Sequence, residues 1–236
     1  MSQLTLALRL RERAIFDSFV AGPNIAALAQ LQAVAAGALP GVYWLSGPSG
    51  VGKSHLLQAS CSLARSGGAE AAYLSLPQLR QFGPEALDGW QAARLVALDD
   101  VAWAAGDRSW EQGLFRLHRE VAERGASLLV AAREPPLRLH FSLPDLGSRF
   151  AAATLVTLRP LDEDAQREAL RLRAQARGLE LPEETALYLQ RRFRRDLPTL
   201  YELLDEIDEA AFREQRRLTV PFIRQVLAQY APGDPM

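Results

Sequence analysis

Short apolar runs alternate with longer helical patterns over the first two thirds of the chain. The runs are rich in leucine, valine and alanine, and they cover residues 42–45, 71–74, 94–98, 127–131 and 153–158. Short apolar runs separated by helical stretches are typical of a parallel sheet that is covered on both faces. The pattern therefore predicts an α/β core with a parallel sheet.

The pattern changes after Pro160, where only helical periodicity remains. Asp162 and Thr219 suit the N-cap position of a helix, and Gly178 suits the residue that follows one. The predicted helices cover residues 162–177, 182–193, 197–213 and 220–229. We expect a flexible tail at residues 1–12, an α/β domain at 13–159 and a smaller all-helical domain at 160–236.

An entry segment, residues 16–24, precedes the first predicted strand. It ends in Gly22-Pro23-Asn24, a tripeptide that favours a turn. A helical pattern follows at residues 25–36, and Asn24 is its predicted N-cap.

Residues 47–54 form a complete GxxxxGK[ST] motif, here called the phosphate loop. Its members are Gly47, Pro48, Ser49, Gly50, Val51, Gly52, Lys53 and Ser54, and His55 follows. The glycines let the backbone turn until its N–H groups point at phosphate oxygens. We expect Lys53 to reach the β- and γ-phosphates and Ser54 to bind Mg²⁺. The alternative is a glycine-rich turn, but the strand before the motif and the helix after it are the context that phosphate binding requires.

Two adjacent carboxylates follow the apolar run at residues 94–98. Ligands of open α/β sheets bind beyond the carboxyl ends of the strands, where Asp99 and Asp100 are expected. Asp99 would bind Mg²⁺ directly or through water, and Asp100 would orient or deprotonate an attacking water. The alternative is a turn with a helix cap. The phosphate loop earlier in the chain favours the functional interpretation.

Composition limits the remaining classes of protein. The chain has 236 residues, of which 48% are apolar, so it can bury a large core. A net charge of −1 provides no general attraction to nucleic acid, and any DNA contact is expected to be weak or indirect. The single cysteine, Cys61, excludes an internal disulfide and fits core packing in a reducing compartment. No apolar stretch has membrane-spanning length, so we expect a cytoplasmic protein.

Several segments together carry a family resemblance. They are the phosphate loop, Asp99-Asp100, the entry segment, Pro135-Pro136, Ser148-Arg149-Phe150, residues 106–111 and 143–146, and the C-terminal helical region. Over nearly the whole chain they resemble AAA+ ATPases of the DnaA type, and within them the Hda family of DnaA inactivators. The absence of a helix-turn-helix segment after the helical region favours Hda over DnaA. The resemblance implies a P-loop core with a helical lid, ADP or ATP with Mg²⁺ as ligands, and DnaA as a partner.

The resemblance also assigns roles to single residues. Phe16 and Val20 of the entry segment are expected to pack against the adenine. Arg149 corresponds to an arginine finger, whose fixed charge would stabilise the transferring phosphoryl group on a neighbouring DnaA. The alternative for Arg149 is a surface arginine paired with Asp145.

The N-terminal tail resembles the sliding-clamp motif of that family, Gln-Leu-x-Leu-Pro-Leu. The resemblance implies that Gln3, Leu4, Leu6 and Leu8 bind the β subunit of DNA polymerase III as an extended peptide. Ala7 replaces the proline, which adds a small ordering cost on binding. The alternative is an edge strand or a frayed terminus.

Two sensor positions differ from the family pattern. Arg133 stands near the first, where an Asp is expected, and Pro198 stands at the second, where an arginine is expected. Arg194 or Arg195 would have to substitute for that arginine from one turn earlier. Both differences weaken the case for hydrolysis by the chain itself and fit a protein that holds ADP as a structural ligand.

The sequence therefore predicts a negative regulator of replication initiation. It would bind adenine nucleotide and the DNA-loaded clamp and stimulate hydrolysis of DnaA-bound ATP. Two alternatives stay open: a self-sufficient AAA+ ATPase of the initiator or helicase-loader class, and a clamp-tethered adaptor with a vestigial nucleotide site. The sequence does not decide the oligomeric state, and a homodimer is among the options.

Overall fold

A five-stranded parallel sheet forms the centre of the computed structural model, which describes residues 14–90, 93–193, 197–214, 216 and 218–229. Its strands are β1 (Val42–Ser46), β2 (Ala71–Ser75), β3 (Leu95–Asp99), β4 (Ser127–Ala132) and β5 (Thr154–Thr157). They lie in the order β2-β3-β4-β1-β5, and every pairing is parallel. The predicted fold class is confirmed, because each strand lies within one residue of its apolar run.

Five helices accompany the sheet and four follow it. The first group is α1 (Ile25–Ala35), α2 (Lys53–Ser66), α3 (Leu76–Leu79), α4 (Arg108–Glu123) and α5 (Pro144–Ala151). The second group is α6 (Glu163–Ala176), α7 (Glu183–Arg192), α8 (Leu197–Glu214) and α9 (Val220–Val226). These counts refer to the described residues. Short 3₁₀ turns at Phe16–Ser18 and Gly22–Asn24 make up most of the entry segment.

Alternate residues of the central strands pack against different helices. Trp44 belongs to a core that includes Leu114 of α4 and Phe150 of α5, and its ring centroid lies 5.3 Å from that of Phe150. Its neighbour Leu45 belongs to a second core with Leu31 of α1 and with α2 side chains that include the buried Cys61. Because burial of one such side chain contributes about 2 kcal/mol, covering both faces accounts for the continuous apolar runs.

The second group of helices encloses a core of its own, with Leu170, Leu189, Leu204 and Phe222 among its members. Asp162 caps α6 as predicted, since its carboxylate accepts a hydrogen bond from Ala165 N at 2.8 Å. Gly178 follows α6 with a φ of +73°, also as predicted. Thr219 lies at the N-cap position of α9, but its side chain makes no capping hydrogen bond.

Asn24 has a different role from the predicted cap of α1. Its side chain is buried, and it pairs with the backbone of Arg159 in the link between β5 and α6. Nδ2 donates to Arg159 O at 2.9 Å, and Oδ1 accepts from Arg159 N at 2.8 Å. A long-range pairing has therefore replaced the local capping bond, because it satisfies two backbone groups of the link at once.

The division of the chain at residues 12 and 159 stays a prediction, and the tail lies outside the described residues. Among the described helices, none combines the length and apolar character that crossing a bilayer requires.

Candidate nucleotide-binding site

A cavity of about 350 Å³ opens between the phosphate loop, the entry segment and the helices that follow the sheet. Residues 48–52 of the loop form one wall, and residues 18–20 form a second. The third wall comes from α6 and α8 and includes Gln166, Ala169 and Tyr201. This volume and mostly apolar lining are typical of small-molecule sites.

The phosphate loop runs from β1 directly into α2. The helix begins at Lys53, within the motif, and Gly52 turns the chain into it with a φ of +98°. A β-carbon at Gly52 would lie 2.5 Å from Cε2 of Phe19, so glycine is required here for conformation and for space. At the start of the loop, Gly47 N donates to Arg133 O at 3.1 Å.

Lys53 is held by its own loop. Its buried Nζ donates to Gly47 O and to Pro48 O, each at 2.8 Å. Burial lowers the pKa of this amine, and the nearby carboxylates of Asp100 and Asp99 oppose the shift. The ammonium is thus positioned at the loop, where phosphate oxygens could take over from the two carbonyl oxygens.

Both oxygens of Asp99 already have partners. The hydroxyl of Tyr73 donates to Oδ2 at 2.6 Å, and Asp100 N donates to Oδ1 at 3.0 Å. Burial raises the pKa of Tyr73, the Asp99 bond adds to the shift, and hydrogen bonding with Ser54 opposes it. Tyr73 therefore holds the carboxylate of Asp99, one of the two predicted Mg²⁺ ligands.

The described residues contain no group of three or more His, Cys, Asp or Glu side chains suited to a metal ion. Mg²⁺ in nucleotide sites commonly uses one or two protein ligands together with phosphate oxygens. Ser54 and Asp99 fit that arrangement, and their role as ligands stays a prediction. The contribution of Tyr73 was not anticipated from the sequence, because an aromatic residue in a strand predicts only packing.

Asp100 adopts a left-handed backbone conformation, with φ +55° and ψ +45°. Among the described residues, Asp100 is the only non-glycine residue with a positive φ. Burial and the adjacent Asp99 raise the pKa of its carboxyl group, while Lys53 and Arg133 lower it. Residues with strained backbone conformations cluster at functional sites. The effect of Lys53 on the pKa of Asp100 indicates that this carboxyl group lies close to the loop lysine.

The aromatic ring that the entry segment contributes to the cavity is that of Phe19, whereas Phe16 was predicted to pack against the adenine. Phe16 is only 8% exposed and packs in the core against α1 and α2, whereas the cavity is lined by Phe19 and Val20. Phe19 directly follows the 3₁₀ turn at Phe16–Ser18, packs against the edge of the same core and also lines the cavity. Phe19 and Val20 thus line the cavity and Phe16 does not, and packing of Phe16 and Val20 against the adenine stays a prediction.

His55 is anchored to the entry segment. Its Nε2 lies 2.9 Å from Ile15 O and 3.3 Å from Ser18 Oγ, and its ring centroid is 5.8 Å from that of Phe19. His55 also lines the cavity. It therefore connects the first turn of α2 to the predicted adenine side of the site.

The two sensor positions lie beside the loop. Arg133 follows β4, and its charge acts on both Lys53 and Asp100. Pro198 lines the cavity from the first turn of α8 and packs against Gly50. Arg194 and Arg195, the predicted substitutes, lie outside the described residues.

Arg149 is exposed on α5 and lies over an aromatic ring. Its guanidinium carbon is 4.8 Å from the ring centroid of Phe115 on α4. Among the described residues, no ion pair joins it to Asp145. The charge of Arg149 lowers the pKa of His118, after the larger effect of burial. Neither Lys53 nor Asp100 has Arg149 among the charges that shift its pKa.

A buried carboxylate holds the start of the Arg149 helix. Glu111 of α4 is fully buried, and its Oε1 accepts from Gly106 N at 2.7 Å and from Ser142 N at 2.9 Å. Its Oε2 accepts from Leu143 N at 2.6 Å, directly before α5. Sequence reasoning did not identify this role, because a Glu in the first turn of a helix usually faces solvent.

Residues 162–227 match the family model for the lid domain of Hda. The fold is similar to domain III of the replication initiator DnaA from Thermotoga maritima, with a TM-score of 0.78 and 20% identity, covering 92% of this chain and 96% of that one.

AMPPCP-bound DnaA from Aquifex aeolicus is also similar, with a TM-score of 0.68 and 22% identity over 88% of this chain and 70% of that one. The Holliday junction branch migration motor RuvB of Thermotoga maritima matches with a TM-score of 0.66 and 17% identity, over 92% of this chain and 72% of that one. The fold is thus that of AAA+ proteins.

Gln3, Leu4, Leu6 and Leu8 lie outside the described residues.

Proposed function

We propose that this chain is an Hda/DnaA-related AAA+ protein that stimulates hydrolysis of DnaA-bound ATP through Arg149 and thereby restrains replication initiation. The observation that carries the proposal is the exposed Arg149 guanidinium, which lies over the ring of Phe115. Arg149 belongs to α5, and Glu111 holds the start of that helix. A charge presented in this way suits a partner's nucleotide better than the chain's own loop.

The chain's own site would hold ADP or ATP with Mg²⁺. The phosphate loop and Lys53 suit the phosphates, Ser54 and Asp99 suit the metal, and the cavity beside Phe19 and Val20 suits the base. The similar DnaA of Aquifex aeolicus was solved with AMPPCP, a nucleotide of this class. A bound nucleotide would join the phosphate loop to α8, because its phosphates would contact the loop and its base would fill the cavity between the two elements.

Hydrolysis by the chain itself is expected to be weak. Pro198 brings no charge to the position of the second sensor, and its ring packs on Gly50 of the loop. Arg133 at the first sensor position carries a fixed positive charge that cannot accept a proton from water. The nucleotide would then act mainly as a structural ligand that fixes the placement of the helices after the sheet.

Arg149 has the chemistry that the proposed reaction needs. A guanidinium stays charged at all physiological pH values, and its planar donors match phosphoryl oxygens. Stacking on Phe115 restricts the side chain before contact, which reduces the entropy lost on binding. Arginine fingers contribute roughly 10³ to 10⁵ in rate, so one side chain is sufficient for an inactivator.

The sliding clamp is the second proposed partner. Gln3, Leu4, Leu6 and Leu8 would bind the β subunit of DNA polymerase III and tether the chain at DNA. Tethering raises the effective concentration of Arg149 near DnaA without any new contact. Hydrolysis would then depend on clamps that are loaded on DNA.

The test is a reconstitution that measures hydrolysis of DnaA-bound ATP, with and without clamp loaded on DNA. It compares the unaltered chain with Arg149→Ala, with a chain lacking residues 1–8, and with Arg124→Ala as a control at another exposed arginine. We expect Arg149→Ala to lose at least about 10²-fold of the stimulation and the truncated chain to lose its dependence on clamp. Full activity of both variants would reject the proposal.

A self-sufficient ATPase is the second candidate, because Asp100 and Lys53 lie close enough for each to shift the pKa of the other. It predicts appreciable ATP turnover by the isolated chain, stimulated by DNA without clamp. The same reconstitution tests the adaptor alternative, for which Arg149→Ala would be silent while the truncation would not.

A further inference from the structure

We propose that Gln166 selects the base of the bound nucleotide by accepting a hydrogen bond from the exocyclic amine of adenine. This inference rests on the proposed nucleotide site and adds a residue that determines its specificity. Gln166 lies in the first turn of α6, lines the cavity and is only 9% exposed.

The orientation of the Gln166 amide follows from its hydrogen bond. Its Nε2 donates to Leu161 O at 3.0 Å, in the link between β5 and α6. Since a carbonyl oxygen can only accept, the amide nitrogen must face Leu161, and the amide oxygen must face the other way. The side chain therefore presents Oε1 as an acceptor of fixed identity.

That oxygen is buried and has no hydrogen-bond partner within the described residues. A buried acceptor without a partner is costly, and native structures contain few of them. Gln190, a buried glutamine of α7 that does not line the cavity, is fully paired. Its Nε2 donates to Glu163 O at 2.8 Å, and its Oε1 accepts from Arg167 Nη1 at 3.2 Å. Gln166 thus differs from Gln190 in lining the cavity, where a ligand could supply the missing partner.

The rest of the lining suits the ring of a base. Phe19, Val20, Leu161, Ala169 and Leu197 provide apolar surface around Gln166. Two polar side chains of the opposite wall have partners, because Ser18 Oγ donates to Ile15 O at 2.9 Å and His55 Nε2 lies 2.9 Å from the same oxygen. The cavity therefore combines largely apolar walls with a buried acceptor that needs a donor.

Adenine and guanine differ at the atom that such an acceptor would contact. Adenine carries an amine at position 6 and donates, whereas guanine carries an oxygen there and would place lone pairs against lone pairs. An unpaired polar group on each side is the arrangement by which a buried site rejects an analogue. The geometry points to selection of adenine over guanine.

Calorimetry tests the inference with three ligands: ADP, GDP and purine riboside 5′-diphosphate, which lacks the amine but keeps the ring. The proteins are the unaltered chain, Gln166→Leu and the matched control Gln190→Leu. We expect the unaltered chain and Gln190→Leu to bind ADP about tenfold more tightly than either other ligand. Gln166→Leu should bind ADP no more tightly than it binds the amine-free analogue, whose affinity should stay within about twofold of its original value.

The outcomes separate this inference from the proposed function. If the unaltered chain binds none of the three ligands, the nucleotide site itself is refuted. If it binds ADP and the amine-free analogue equally, or if Gln166→Leu weakens both by the same factor, only the role of Gln166 is refuted. The first comparison needs no variant, so equal binding would refute the role of Gln166 even if Gln166→Leu fails to fold.

Discussion

Pro198 packs directly on Gly50, so that a β-carbon added to Gly50 would lie only 2.3 Å from Cγ of the proline. The contact joins the first turn of α8 to the middle of the phosphate loop. A residue at the second sensor position, which carries no charge here, thus touches the loop through its ring.

Gly50→Ala should therefore destabilise the protein more than an ordinary glycine substitution. Gly50 has a φ of +76°, and Gly68 has a nearly equal φ of +80° with no atom within 4 Å of an added β-carbon. Gly68→Ala measures the conformational cost alone, about 1 kcal/mol. We expect Gly50→Ala to cost at least about 1 kcal/mol more in denaturant unfolding and to weaken ADP binding. Equal losses in the two variants would show that the proline contact carries no weight.

Glu111→Gln should weaken the support of the Arg149 helix. The amide would keep one acceptor oxygen and turn an NH₂ group toward backbone N–H groups that now donate to the carboxylate. We expect a loss of about 2–3 kcal/mol in unfolding free energy and a reduced stimulation of DnaA-bound ATP hydrolysis, with ADP affinity retained. Glu123→Gln is the control, since Glu123 forms only an exposed ion pair with Arg119 at 3.7 Å. Unchanged stimulation in a folded Glu111→Gln protein would refute the positioning role.

Tyr73→Phe should make stability depend more strongly on the metal. Removing the hydroxyl leaves Asp99 Oδ2 buried without its donor, which should cost about 1–3 kcal/mol in EDTA. Mg²⁺ with ADP would supply a new partner for that oxygen, so the increase in melting temperature on adding both should exceed that of the unaltered chain. Tyr43→Phe loses a comparable bond to Leu39 O, at 3.1 Å, and should show no such gain. A gain of the same size in both variants would exclude Asp99 as a metal ligand.

His118 should make the fold less stable at mildly acidic pH. Burial, with a smaller effect from Arg149, lowers the pKa of His118 below its ordinary value of 6.5, and Nδ1 is buried without a partner. The unfolded chain therefore binds a proton at a higher pH than the folded chain does. The free energy of unfolding should fall as the pH drops below 6.5 and should level off once the folded state also binds the proton.

His118→Leu should remove this slope, whereas substitution of the exposed His140 by Asn should preserve it. Denaturant unfolding between pH 7.5 and pH 5 measures the effect. A slope that survives in His118→Leu would assign it to other groups.

The strands could be predicted from the sequence because burial on both faces leaves an uninterrupted apolar run. The capping role of Asp162 was also predictable, since that bond is local. Asn24 was not, because its partner Arg159 is 135 positions away. The choice between Phe16 and Phe19 for the cavity wall was not predictable either, because neither propensity nor spacing distinguishes two phenylalanines so close in the chain.

The roles of buried polar residues could not be predicted from the sequence either. Glu111 and Gln166 occupy first turns of helices, where polar side chains normally meet solvent, and only the packing of distant segments encloses them. Pro198 could be identified as a departure from a family pattern, but its contact with Gly50 could not.

The paired hydrogen bonds between Asn24 and Arg159 limit how the lid can move. They fasten the strand-to-helix link to the entry segment as far as Arg159, so any rotation of α6–α9 against the sheet would have to begin beyond that residue, at Pro160 or Leu161. Leu161 is also the residue whose carbonyl oxygen orients Gln166. A change in the backbone at Pro160 and Leu161 would therefore also move the carbonyl that orients Gln166 beside the cavity.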